Sequence, residues 1–126
     1  MTDTRPPLSP FDDETFATVA SETGLGADPL RDLTRRHQEG VRDLPGVDDI
    51  VYEWRNHFHL DPLVVRTETA YVLALPDHVW EEFAEGLAAS GEAMAALKSV
   101  HDRQARRLAA DTDRFEGDRA VVLTRP

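Results

Sequence analysis

One run of the sequence, residues 63–75, alternates between two sets of side chains with the period of a β-strand, and it restricts the possible fold more than any other feature. One face carries Leu63, Val65, Thr67, Thr69, Tyr71, Leu73 and Leu75, and the other carries Val64, Arg66, Glu68, Ala70, Val72 and Ala74. Asp61-Pro62 forms a predicted turn before the run, and Pro76-Asp77 ends it. We predict either one long strand or two short strands that break near Thr67–Thr69.

Two helices are predicted before residue 47. Ser9-Pro10 has the form of an N-cap followed by proline at the first helical position, and it starts a short helix that runs to about Thr23. Asp28-Pro29 repeats that signal, and Pro45-Gly46 closes the second helix. The apolar stripe of the second helix consists of Leu30, Leu33, His37, Val41 and Leu44.

Residues 47–60 fit two periods. A helical stripe would contain Val47, Ile50, Val51, Trp54 and Phe58, whereas strand alternation would contain Ile50, Tyr52, Trp54, Phe58 and Leu60. We favour the helix, because Asp48 and Asp49 lie where an N-cap and first-turn acids belong.

The second half of the chain predicts two more helices and a final strand. A helix follows Pro76-Asp77, and another runs from Ser90-Gly91 to about Ala110. An acidic loop over 111–118 then leads to a short strand over 120–123 that pairs with the 63–75 run. We therefore predict an α+β fold of four to five helices on a two- or three-stranded antiparallel sheet. Residues 1–9 form a flexible tail and residues 10–126 a single domain.

The charge of the chain is unusual in its make-up. The net charge is −10, Lys98 is the one lysine among 14 basic residues, and aspartate outnumbers glutamate. This composition resembles that of small cytosolic proteins of halophilic archaea, in which hydrated carboxylates replace lysine stems on the surface. A genome rich in G and C would also favour arginine over lysine, but it does not require the excess of acid.

Several protein classes are excluded or disfavoured by the same composition. The chain has no cysteine, so it has no disulfide and no thiolate metal site. Its first ten residues contain no apolar segment of a signal peptide, and no apolar run is long enough to span a membrane. We predict a cytoplasmic protein that does not bind membranes. Its acidity disfavours binding to nucleic acid without excluding it.

His57, His59 and Asp61 follow the pattern H-x-H-x-D. On a strand the three side chains would point the same way and could ligate a divalent metal, whereas on a helix His57 and His59 would point apart. The pattern is similar to the start of the metallo-β-lactamase signature, but Pro62 occupies the place of that signature's next histidine, so we exclude the family. No other cofactor is predicted.

A possible binding surface contains six residues, namely Trp54, Arg55, His101, Arg103, Arg106 and Arg107. The three arginines at 103, 106 and 107 share one helix face. They could contact phosphate, or they could pair with Asp111 or Asp113 at the negative end of their helix, which we favour. His101 lies on the apolar stripe of that helix, where we interpret it as a hydrogen-bonded core residue.

Three functions are compatible with these features. We favour a non-enzymatic protein-interaction or regulatory module that acts through a protein partner or self-association. The first alternative is a nucleic-acid-linked regulator of winged-helix type, because two helices precede a predicted hairpin. The second alternative is a small metal-binding protein or enzyme that uses His57, His59 and Asp61.

Overall fold

A computed structural model describes residues 5–43, 46–110 and 112–126. Over these ranges the chain forms five helices and one three-stranded antiparallel sheet, so the predicted α+β class is confirmed. The elements in chain order are α1 Asp13–Thr23, α2 Ala27–Asp43, α3 Val47–His57, β1 Leu63–Arg66, β2 Ala70–Leu75, α4 His78–Leu87, α5 Gly91–Leu108 and β3 Arg119–Thr124. No helix in the described ranges combines the length and apolar character needed to cross a membrane.

The alternating run forms two strands, which confirms the second of the two predicted alternatives, a break near Thr67–Thr69. Thr67 closes the hairpin, because its backbone N–H donates to the Ala70 carbonyl at 2.8 Å and its hydroxyl accepts the Ala70 N–H at 2.9 Å. These bonds hold the chain in a turn at the predicted break. A register shift between Leu63 and Val65 also interrupts the ladder within β1.

The sheet has the order β1-β2-β3, with β2 in the centre. Alternate residues of β2 and β3 belong to two different core clusters, which means that side chains are buried on both faces of the sheet. One cluster includes Leu73, Leu75, Val121 and Leu123 with residues of α3 and α4. The other includes Val72, Ala74, Ala120 and Val122 with Phe16 and Val19 of α1.

Helix α1 begins later than predicted. Ser9 and Pro10 lie in a turn, and Asp12 occupies the N-cap position before Asp13. Phe11, which follows the turn, is buried, and its N–H donates to the Leu8 carbonyl at 2.9 Å. Burial of this aromatic ring outside the helix explains why the proline signal does not start α1.

Residues 5–9 of the predicted tail contact the end of the chain. Arg5 donates to the Arg125 carbonyl at 3.1 Å, and the Thr124 hydroxyl donates to the Pro7 carbonyl. Residues 1–4 lie outside the described ranges, as do Leu44, Pro45 and Asp111.

The helical interpretation of residues 47–60 is confirmed up to His57. Asp48 and Asp49 lie in the first turn as predicted, but Gly46 occupies the N-cap with a φ of 104°. Glycine suits this position because a left-handed φ is costly for residues with a Cβ. The predicted cap of α5 is confirmed, since the Ser90 hydroxyl accepts the Ala93 N–H at 3.1 Å. Asp77 occupies the N-cap position of α4 as predicted, but its side chain makes no capping hydrogen bond.

Candidate functional site

A pocket of about 340 Å³ lies between α2, α3 and α4. Helix α4 begins directly after the capping residue Asp77, and Gly46 sets the start of α3, so both walls are positioned by local turns. The pocket is lined by Arg36, His37, Gly40, Val41, Ile50, Trp54, Val79, Glu82, Phe83, Gly86 and Leu87. Its size is within the range of pockets that hold small organic ligands.

The walls of the pocket are mainly apolar, with polar side chains concentrated on α2 and α4. The rings of Trp54 and Phe83 lie edge to face, with centroids 6.3 Å apart. Arg36 is exposed and donates to the Leu87 carbonyl at 3.0 Å, which connects α2 to the end of α4. Glu82 is also exposed. Polar groups at the edge of an apolar cavity are typical of sites that bury most of a ligand and orient one end of it.

His37 is the buried polar residue of this pocket, with 3 % of its surface exposed. Burial lowers its pKa to about 3, so the ring is neutral at pH 7. It packs edge-on against Phe83, with centroids 4.3 Å apart. It also contacts Trp80 at 5.4 Å and His101 at 5.1 Å between centroids. A stack of rings from α2, α4 and α5 therefore lies behind the pocket.

Gln38 bonds the outer edge of β3, the edge that β2 does not cover. Its Nε2 donates to the Val122 carbonyl at 2.8 Å, and its Oε1 accepts the Thr124 N–H at 2.8 Å. The side-chain amide thus replaces part of a fourth strand. The same Nε2 also donates to Nδ1 of His37 at 3.3 Å. Because the two backbone bonds set the orientation of the amide, Nδ1 of His37 must act as an acceptor.

His101 bonds the same edge of β3 from α5. Its Nδ1 accepts the Val122 N–H at 2.9 Å, which confirms that this residue is a hydrogen-bonded part of the core. Burial, and secondarily the neighbouring His37, lowers its pKa well below the ordinary value. A neutral imidazole carries one proton, so both histidines hold theirs on Nε2.

The remaining ring nitrogens of this stack lack protein partners. Within the described part of the chain, His37 Nε2, His101 Nε2 and Trp80 Nε1 are buried and make no hydrogen bond. Each is an N–H donor, given the two tautomers above. Buried donors without acceptors are costly, and they commonly mark places where a ligand or an ordered water binds.

Two glycines lie in helix interiors at the pocket. Gly40 belongs to α2 and Gly86 to α4, and both line the pocket. Neither has a positive φ, and apart from the adjacent backbone of its own helix no atom lies within 4 Å of the place where a Cβ would be. Glycine inside a helix costs roughly 1 kcal/mol relative to alanine. Neither local conformation nor close packing requires these glycines, but they keep two walls of the pocket free of side chains.

The structure does not bring His57, His59 and Asp61 together as the metal hypothesis required. His57 is the last residue of α3, and residues 58–60 form bends instead of a strand. Asp61 is bound by Arg55 through three hydrogen bonds of 3.0–3.2 Å. These bonds, the Leu63 N–H and the charge of Arg55 hold the pKa of Asp61 below its usual value. No group of three histidine, aspartate or glutamate residues within 5–43, 46–110 and 112–126 is placed to share a metal.

The six residues of the predicted binding surface do not lie together in the structure. Trp54 lines the pocket and His101 lies behind it, whereas Arg55 faces Asp61. The arginines of α5 pair with other partners than those predicted: Arg103 with Glu22, Arg106 with Asp102, and Arg107 with Asp12 and Glu14. Helix α5 packs along α1, which brings the acids of α1 to this face. Asp111 is outside the described residues.

Sequence reasoning placed His37 only on an apolar stripe and did not identify Gln38 at all. Both are buried, and the signal that could have located them is the pair of glycines at 40 and 86 inside otherwise regular helices. A residue that lowers local stability without a structural reason is often functional.

A family model, described as a domain of unknown function (DUF8048), matches residues 9–125. Neither a curated protein nor a solved structure matches the chain.

Proposed function

The chain belongs to the DUF8048 family, and we propose that it is a non-enzymatic regulatory module that binds a small ligand in the pocket between α2, α3 and α4. The observation that carries this proposal is a pocket of about 340 Å³ whose apolar lining includes two helix-interior glycines, Gly40 and Gly86. The glycines lower the stability of their helices. A bound ligand would use the space that the two glycines leave free.

The bonding of His37 supports a binding role over a catalytic one. A general base needs a free lone pair, but Nδ1 already accepts a hydrogen bond from Gln38 and Nε2 carries the proton. A general acid works best with a pKa near the working pH, and the pKa of His37 is lowered to about 3. The ring is therefore poorly suited to transferring a proton.

A protein partner or a second copy of the chain would recognise the ligand-bound form of such a module. Helix α3 provides Ile50 and Trp54 to the pocket, while Tyr52 on its other side is 72 % exposed. One helix therefore contacts both a ligand and the surroundings. Light scattering with and without ligand tests whether binding changes self-association.

The proposed binding can be tested with 2-ethylnaphthalene, an apolar probe of suitable size, by following quenching of tryptophan fluorescence. We expect saturable binding to the wild-type protein and at least tenfold weaker binding to Gly86→Leu, because the new side chain enters the pocket. Gly91→Leu is the matched control, since Gly91 also has open space around its Cβ but does not line this pocket. Equal binding by the wild type and Gly86→Leu would place the probe elsewhere and overturn the proposal.

A nucleic-acid-linked regulator is the second candidate, and the order of elements favours it. Helices α2 and α3 are followed by the β1–β2 hairpin, as in a winged helix. The exposed side of α3, however, carries Asp48, Asp49 and Glu53, which would repel phosphate. The absorbance ratio of the purified protein tests whether nucleic acid co-purifies with it. A ratio typical of protein alone would agree with the ligand-binding proposal.

A metal-binding role for His57, His59 and Asp61 stays a prediction. The ion pair of Asp61 with Arg55 would have to break before its carboxylate could serve as a ligand. Metal analysis of protein purified without a histidine tag tests this hypothesis, and absence of zinc, iron, manganese and nickel would contradict it.

We further propose that the protein is cytosolic and adapted to high salt. The net charge of −10, with a single lysine among its basic residues, supports this proposal. At about 1 M salt the Debye length is roughly 3 Å, so the repulsion between surface carboxylates is screened.

A further inference from the structure

We infer that the pocket between α2, α3 and α4 binds a free α-amino acid with a large apolar side chain, whose carboxylate contacts Arg36 and whose ammonium group contacts Glu82. This ligand class rests on the proposed binding function. The two charged residues, the two glycines and the apolar wall of the pocket each restrict the ligand in a different way.

Two residues of opposite charge line the pocket within the described ranges, Arg36 of α2 and Glu82 of α4. Both are exposed, and neither forms an ion pair with another described residue. By contrast, Arg35, the neighbour of Arg36 in the chain, pairs with both Asp32 and Glu39. A zwitterion complements both charges of the pocket, whereas an anion would be repelled by the glutamate and a cation by the arginine.

The guanidinium of Arg36 is held at the end of α4. Its Nη2 donates to the Leu87 carbonyl at 3.0 Å, and the group keeps its positive charge in this bond. A guanidinium carries five N–H donors, so this bond leaves others for a carboxylate, which arginine binds well through two parallel hydrogen bonds. The contact with α4 therefore orients a carboxylate-binding group at the pocket before any ligand arrives.

Each charged residue lies one helical turn before a glycine. Arg36 precedes Gly40 on α2, and Glu82 precedes Gly86 on α4, both at the spacing i, i+4. A helical side chain covers the turn that lies N-terminal to its own Cα, so a side chain at position 40 or 86 would cover the turn that carries the charged group. The glycines leave this space open on both helices. The α-carbon of an amino acid, which bears both of its charged groups, can therefore enter between them.

The apolar wall determines the side chain of the ligand. The rings of Trp54 and Phe83 lie edge to face with centroids 6.3 Å apart, and Ile50 and Val79 also line the cavity. The other polar residue of the lining, His37, is buried and neutral. A polar side chain would lose its hydration here without gaining a partner, whereas an apolar one gains free energy from burial. The cavity of about 340 Å³ has room for an aromatic or branched aliphatic side chain.

The test compares three probes on the wild-type protein: L-phenylalanine, 3-phenylpropanoate, which lacks the ammonium group, and 2-phenylethylamine, which lacks the carboxylate. Proton–nitrogen NMR titrations give the dissociation constants, and shifts of the Gly40 and Gly86 amide signals locate the probe. We expect phenylalanine to bind about fivefold more tightly than either analogue, which corresponds to one ion pair at an exposed position. Both analogues are more apolar than phenylalanine, so partition into an apolar cavity alone would give the opposite order.

Two substitutions assign each charge of the ligand to its residue. Arg36→Gln should weaken phenylalanine and 3-phenylpropanoate by about fivefold without weakening 2-phenylethylamine. Glu82→Gln should weaken phenylalanine and 2-phenylethylamine by about fivefold without weakening 3-phenylpropanoate. Arg35→Gln and Glu85→Gln are the matched controls, since both residues are exposed and carry the same charges but do not line the pocket. Each control should change the binding of all three probes by less than about twofold.

The outcomes separate the ligand class from the proposed function. The order of the three probes on the wild type needs no variant, so it tests the assignment even if Arg36→Gln fails to fold. Phenylalanine that binds no more tightly than the analogues, or a control variant that acts like its counterpart, would overturn the amino-acid ligand. If phenylalanine does not bind while 2-ethylnaphthalene binds and Gly86→Leu blocks it, the ligand class is wrong and the binding function stands. If 2-ethylnaphthalene does not bind either, both proposals fail together.

Discussion

Gln38 of α2 completes the edge of a strand that lies 84 to 86 residues later in the chain, with its Nε2 2.8 Å from the Val122 carbonyl oxygen and its Oε1 2.8 Å from the Thr124 nitrogen. An open strand edge inside a protein would leave backbone groups unpaired. The amide satisfies two of these groups and also sets the tautomer of His37. The stability of the sheet and the chemistry of the pocket therefore depend on the same side chain.

Replacing Gln38 with Leu should destabilise the protein by about 2–4 kcal/mol, because the Val122 carbonyl and the Thr124 N–H would each lose a buried partner. Urea-induced unfolding followed by circular dichroism measures the change. Asn56→Leu serves as the control, since Asn56 is exposed and its substitution should change the stability by less than about 0.5 kcal/mol. A loss of under 1 kcal/mol in Gln38→Leu would show that the edge of β3 is satisfied in another way.

The stability should fall when the pH decreases below about 6.5. His37 and His101 are neutral in the folded protein because burial lowers both pKa values, that of His37 to about 3. The unfolded chain binds their protons from about pH 6.5 downward, so each histidine lowers the free energy of unfolding by about 1.4 kcal/mol per pH unit. The stability of the fold with two neutral histidines is therefore complete above pH 6.5, and it is lost as the pH falls toward the pKa values of the histidines in the folded protein.

Asp61 loses its contribution to the free energy of unfolding in a different, lower pH range. The hydrogen bonds from Arg55 and from the Leu63 N–H lower the pKa of Asp61, so its stabilising contribution disappears only below its ordinary value of 3.8. Unfolding measured at pH 7.5, 6.5, 5.5 and 4.5 separates the two effects. A free energy that stays constant from pH 6.5 to 4.5 would contradict the neutral, buried state of the histidines.

The glycines at the pocket should be replaceable with a gain in stability. Gly40→Ala and Gly86→Ala should each raise the free energy of unfolding by about 0.5–1 kcal/mol, because both positions are helical and have room for a Cβ. Gly24→Ala is the contrasting control, since Gly24 has a φ of 80° and its substitution should be destabilising. Thermal unfolding distinguishes these directions, and a loss of stability at position 40 or 86 would indicate a structural need for glycine there.

The melting temperature should rise with KCl concentration up to molar levels, because salt screens the repulsion within a chain of net charge −10. Differential scanning calorimetry in 0.1 M and 2 M KCl, both at pH 7.5, measures the effect. The same melting temperature in both buffers would show that self-repulsion is not a significant cost and would remove the support for salt adaptation.

Local patterns in the sequence predicted the secondary structure well. The alternation over 63–75, the caps at Asp77 and Ser90, and the helical stripe from Val47 to Trp54 each depend on neighbouring residues. The start of α1 was mispredicted because the signal of Pro10 competes with burial of Phe11, and burial is decided by the tertiary fold. Arg103 and Arg107 pair with Glu22 and Glu14 of α1, which the sequence did not predict, because only the packing of α5 on α1 brings these distant acids close.

The sequence by itself determined the class of the fold, the order of its elements and the acidic surface, since these follow from periodicity, turn residues and composition. Only the tertiary structure decided that Gln38 and His101 meet the edge of β3 and that His37 holds its proton on Nε2 beside a pocket. The physical reason is that a hydrogen bond between residues 21 to 86 positions apart depends on how helices pack against the sheet. That packing leaves no repeating pattern among neighbouring residues.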